Sequence, residues 1–91
     1  MHVTTQQIDA VLRKLDIEGY IGFGAPEDEY ESEAESIAQA LASLDETVLA
    51  EDTIAQIVAR VWAQSFNLDS AGLALRQQAF ETVARDIRSM S

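Results

Sequence analysis

The sequence predicts an all-α fold, a compact antiparallel bundle of about four helices in a single domain spanning residues 1–91. Three observations lead there. Apolar residues recur at helical spacing in four segments. Nothing alternates with period two for long enough to make a strand. The connections between segments are short, which favours neighbouring helices packed in one bundle. Ninety-one residues suit one domain, with 47% apolar and 24% charged residues placing the chain among globular proteins.

The first helix is expected from about Thr5 to Asp16. Ile8, Val11, Leu12 and Leu15 form one stripe. Thr4 or Thr5 supplies a side-chain oxygen for the free amides of the first turn. Arg13 and Lys14 sit in the last turn, where cations suit the helix dipole. Gly19 is a plausible stop. The segment Gly19-Tyr20-Ile21-Gly22-Phe23-Gly24-Ala25-Pro26 then holds three of the four glycines and the only proline. It reads as a loop with aromatic anchors. Its apolar side chains either plug one end of the core or present an aromatic contact to a partner.

The second helix begins between Pro26 and Ser32. Two starts compete: Pro26 at the first helical position, or Ser32 and Glu35 as a capping box. Tyr30, Ala34, Ile37, Ala38, Leu41 and Leu44 carry its period, and it ends near Ser43. The third helix runs from Thr47 or Asp52 to Phe66. Ile54, Ile57, Val58, Val61, Trp62, Ser65 and Phe66 make its stripe wide, as expected of a helix with more than one neighbour. Trp62 is expected at the centre of the core, and Asn67 suits the C-terminal position. The fourth helix is expected from Ser70 to about Arg88, capped by Asp69 or Ser70, with Leu73, Gln77, Phe80, Val83, Ala84 and Ile87 on one side.

Charge is distributed unevenly. Sixteen acids against six bases give a net charge of −10. Residues 16–52 hold twelve of the acids and no base. The densest part is Glu27, Asp28, Glu29, Glu31, Glu33 and Glu35, six acids within nine residues. Acids at a helix start gain only ~0.3–1 kcal/mol each from the dipole, which accounts for two or three of them. Like charges four apart on a helix are mildly destabilising. A basic protein partner is the simplest compensating gain, because opposed fields speed association and sharpen specificity. The same charge argues against direct nucleic-acid binding.

Chemistry-bearing motifs are scarce. The chain has no cysteine and one histidine, His2. That removes thiolate zinc sites, thiol nucleophiles and multi-histidine centres. Asp28-Glu29-Tyr30-Glu31 lacks the order and the central glycine of a calcium loop. Gly22-Phe23-Gly24 lacks the third glycine and the preceding strand of a dinucleotide fingerprint. Leu68-Asp69-Ser70-Ala71 faintly matches the carrier motif of acyl carrier proteins, but Ala71 is wrong after the serine and too little chain follows. Asp69-Ser70 reads as a helix cap. No metal, cofactor or catalytic residue is expected, and the protein is not expected to be an enzyme. No export signal or membrane-length apolar run is visible, so the expected location is cytoplasmic, with no membrane partner.

The string Phe23-Gly24-Ala25-Pro26-x-Asp28-Glu29-Tyr30-x-x-Glu33, then Ile37, Ile54-x-x-Ile57 and Trp62-x-x-Ser65-Phe66, resembles a bacterial family of small acidic helical proteins known only as a domain of unknown function. The resemblance covers about residues 15–68. Members often carry Asp-Pro before the turn, where this chain has Glu18-Gly19-Tyr20. The resemblance implies a helical fold and brings no catalytic residues. Size and charge are also immunity-protein-like.

The functional expectation is an acidic immunity protein that neutralises a cognate bacterial toxin, a basic nuclease of an interbacterial competition system such as contact-dependent growth inhibition. The expected partner-binding residues are Glu27, Asp28, Glu29, Tyr30, Glu31, Glu33 and Glu35, with Tyr20 and Phe23 as further aromatic anchors. Tyr30 has a core alternative, and Glu33 an alternative role in tying down the glycine loop. The competing function is a non-catalytic regulatory or adaptor module.

Overall fold

The computed structural model describes residues 3–18, 24, 30–44 and 50–90. They form five helices: α1 (Thr5–Leu15), α2 (Glu31–Ala42), α3 (Glu51–Phe66), α4 (Ser70–Leu75) and α5 (Gln77–Met90). There is no strand among the described residues.

Local chemistry explains most boundaries. Thr4 opens α1 through a reciprocal capping box: Gln7 N donates to Thr4 Oγ1 at 3.1 Å, and Thr4 N donates to Gln7 Oε1 at 2.9 Å. Helix α1 stops at Asp16, which takes the left-handed conformation at φ 45° and donates its N–H to Leu12. Aspartate tolerates that region better than most residues. The helix thus ends within one residue of its expected bound, Asp16, and before Gly19 is reached. Helix α2 starts at Glu31 behind Tyr30, with no side-chain cap. Ser32 is already helical, so the Ser32–Glu35 capping box does not form. Helix α3 starts behind Ala50, close to the later of its two expected starts. It ends at Asn67 in the left-handed region, where the N–H groups of Asn67 and Leu68 both reach the carbonyl of Ala63.

The expected fourth helix is two helices. Asp69 caps α4, accepting from Gly72 N at 2.8 Å. The chain leaves helical geometry at Arg76, with φ −106° and ψ 3°. The N–H of Arg76 still bonds back to Leu73, while its carbonyl already accepts from Phe80 N. Arg76 therefore closes one helix and opens the next. Gln77, expected among the apolar side chains, is exposed.

Four of the helices close a ring. Helix α1 packs on α2 and α5, and α3 packs on the same two, while α4 leans on α5. Each ring helix contributes a buried stripe: Ile8, Val11 and Leu12 from α1; Ala34, Ile37 and Leu41 from α2; Ile54, Ile57, Val58 and Trp62 from α3; Phe80, Val83, Ala84 and Ile87 from α5. Trp62 is fully buried at the aromatic centre of this core, as its position in the α3 stripe predicts. Its ring stacks on Tyr30 at 5.7 Å and meets Phe66 at 5.2 Å and Phe80 at 6.3 Å, centroid to centroid. Such pairs are worth ~0.5–1.5 kcal/mol beyond their burial. Among the described residues, no helix is long and apolar enough to cross a membrane.

Candidate partner-binding surface

The expected acidic surface divides once its side chains are placed. Helix α2 turns Ala34, Ile37 and Leu41 to the core, so the 3.6-residue period assigns each glutamate a direction. Glu31 and Glu35 are four apart and both exposed. Ser32, Ser36 and Gln39 share the solvent side with them, and α2 carries no base. Glu33 points the other way. It is 8% exposed, and its Oε2 has no hydrogen-bond partner among the described residues. Tyr30 is 0% exposed and stacks on Trp62, so it takes its core alternative and is not a surface anchor. Tyr20, Phe23, Glu27, Asp28 and Glu29 lie outside the described residues. The described part of the candidate surface is thus Glu31 and Glu35 on α2. Asp52 is exposed at the start of α3, with Glu51 half-buried beside it.

Two other acids of the base-free segment are engaged internally, and sequence reasoning missed both. Asp16 accepts from the Tyr30 hydroxyl at 2.6 Å, and that same hydroxyl oxygen accepts from the backbone N–H of Glu18 at 3.1 Å. The Glu18 carboxylate accepts twice from Arg76, from Nε at 2.6 Å and Nη2 at 2.9 Å. It also accepts from Trp62 Nε1 at 3.0 Å. Arg76 has a third bond, from Nη1 to the Gly72 carbonyl at 2.8 Å. The fork of a guanidinium matches a carboxylate edge, which is why arginine serves here better than lysine would. Arg76 holds the Glu18 carboxyl below its ordinary range; burial opposes this, and the Trp62 N–H and the Arg76 charge reinforce it. One polar cluster thus ties the chain after α1, the residue before α2, the C-terminal part of α3 and the α4–α5 junction. Its only signal in the sequence is a base inside an otherwise apolar and neutral stretch.

The described residues line several surface grooves. One of about 300 Å³ lies between α1 and α5, lined by Ala10, Val11, Lys14, Asp86, Ser89 and Met90. Another of about 180 Å³ lies between α3 and α5 and includes Asp52 and Glu81. Among the described residues, no three acidic, histidine or cysteine side chains converge to hold a metal ion.

No protein-family model, no curated protein and no solved structure matches this chain. The surface is therefore read from its own residues.

Proposed function

We propose that the protein is an acidic immunity protein that binds and neutralises a cognate bacterial toxin, a basic nuclease used in interbacterial competition. The observation that carries this reading is the run of residues 16–52, with twelve acids and no base. Internal pairing uses Asp16 and Glu18 of that run. Glu31, Glu35 and Asp52 face solvent. A nuclease must offer cationic residues to phosphates, and an acidic helix face can occupy that surface in place of nucleic acid. The protein acts here by contact alone, without catalysis or cofactor.

A regulatory or adaptor module is the second reading. Leu75, which is 85% exposed, is the residue an apolar partner would contact in that reading.

The test is recovery of the partner from the native host with the tagged protein as bait, followed by an inhibition assay on what is recovered. A basic nuclease inhibited at equimolar protein supports the first reading. Recovery of a housekeeping protein whose binding depends on Leu75 overturns it in favour of the second.

A further inference from the structure

Helix α4 differs from the other four. It contributes no buried side chain, whereas every ring helix contributes several. It has six residues, well below the ~12–15 at which an isolated helix becomes marginally stable in water. Gly72 in its middle lowers its propensity by about 1 kcal/mol relative to alanine. Leu73 is only partly buried against the core, and Leu75 faces solvent. Neither propensity nor core packing accounts for this helix.

Its ends account for it. Asp69 fastens the first turn through Gly72 N at 2.8 Å. Arg76 fastens the last turn through the Gly72 carbonyl at 2.8 Å, and the same guanidinium grips Glu18, 58 residues away in sequence. The Arg76 side chain is 26% exposed and that of Glu18 is 7% exposed, so the pair lies at the rim of the fold within reach of water. Chain geometry permits a break on either side. Asn67 already sits in the left-handed region before α4, and Arg76 has left helical geometry after it.

We propose that α4 is a strap fastened to the four-helix ring by the Arg76–Glu18 clasp, and that it opens as a unit while the ring stays folded. Opening separates two side chains that water can solvate and frees the partly buried Leu68 and Leu73. It leaves the buried stripes of α1, α2, α3 and α5 in place. Units with few buried apolar contacts open below the global unfolding free energy. The clasp also reaches Trp62, the only tryptophan, through Glu18 Oε2. Release of Glu18 therefore changes the environment of one identifiable fluorophore.

Amide hydrogen exchange on the full chain tests this, comparing wild type with Arg76→Met, which keeps an apolar stem and removes the fork. In the wild type the amides of residues 72–76 are expected to be at least about tenfold less protected than those of Val58, Trp62, Val83 and Ala84, and Arg76→Met should lower their protection by about tenfold more. Equal protection of the two groups in the wild type would overturn the proposal, because residues 72–76 would then open only with the whole fold. Unchanged exchange at 72–76 in Arg76→Met would overturn it too. Should Arg76→Met fail to fold, wild-type exchange at increasing sub-denaturing urea decides. Residues 72–76 are expected to open with a smaller urea dependence than the ring amides, and a single common dependence refutes the strap.

Discussion

The hydroxyl of Tyr30 donates to Asp16 Oδ1 at 2.6 Å, joining the residue that ends α1 to the residue that precedes α2. The same oxygen accepts from Glu18 N, so one phenol orders both sides of the α1 terminus. Replacing Tyr30 by Phe keeps the ring against Trp62 and removes both bonds. The expected cost is about 1.5 kcal/mol, the low end for a hydrogen bond to a charged group because the site is only part-buried. A urea titration followed by Trp62 emission measures it. Affinity for the partner should not change, since Tyr30 has no exposed surface. A variant of wild-type stability that binds poorly would return Tyr30 to the interface.

Glu18 gives the fold an acid limit. Arg76 first, then the Trp62 N–H, holds its carboxyl below the ordinary value of 4.5, against the opposing effect of burial. A carboxylate with a depressed folded-state pKa stabilises the fold fully above its unfolded value. That contribution disappears as pH falls through the folded value. The stability gap between wild type and Glu18→Gln should therefore be complete at about pH 7 and shrink steadily below about pH 4.5. Urea midpoints across that range check the prediction. A gap that widens toward acid would mean that the fold raises the Glu18 pKa instead of lowering it.

Glu33 is expected to cost the fold stability. A buried polar atom without a partner typically costs ~1–3 kcal/mol, and Glu33 Oε2 is such an atom among the described residues. Methionine has similar length and no hydrogen-bonding demand. Glu33→Met should raise stability by about 1 kcal/mol in thermal and urea unfolding. If stability falls instead, the carboxylate is held by a contact and belongs with the structural role of fastening the glycine loop.

How far the sequence carried these readings depends on the range of the force involved. Thr4, Asn67 and Asp69 act within a few residues, so Asn67 is readable directly and Thr4 and Asp69 each as one of two adjacent candidates. The α3 stripe places Trp62 in the core because burial follows period. The break at Arg76 was not readable. It accompanies a guanidinium bonded to Glu18, and no local pattern announces a partner 58 residues away. The acidic segment failed in a related way. Composition counts Glu18, Glu31, Glu33 and Glu35 alike, yet one is clasped, one is turned inward and two face solvent. Charge along a chain states how many carboxylates there are. Only helix phase, set by where α2 begins, states which of them a partner can reach.

That phase selects the pair for charge reversal. Glu31 and Glu35 are exposed, so lysine at both positions leaves the core untouched. Exposed substitutions of this kind usually change stability by no more than ~0.5 kcal/mol. The like-charge pair at i, i+4 is replaced by one of the opposite sign, so that repulsion is unchanged, while two cations near an N-terminus give back some of the dipole energy. Helicity by circular dichroism should therefore match wild type. Association with a basic partner should slow by about tenfold or more at low salt, since two reversals change the local charge by four units at the docking face. Added salt should narrow the difference, because screening over a Debye length of about 8 Å at physiological ionic strength weakens steering in wild type and repulsion in the variant alike. Stopped-flow association at several salt concentrations reads both effects. Equal association rates for the double variant and wild type at low salt would remove the exposed face of α2 from the interface. A folded variant that binds more slowly, with the difference narrowing as salt rises, would place the partner's cationic surface against Glu31 and Glu35.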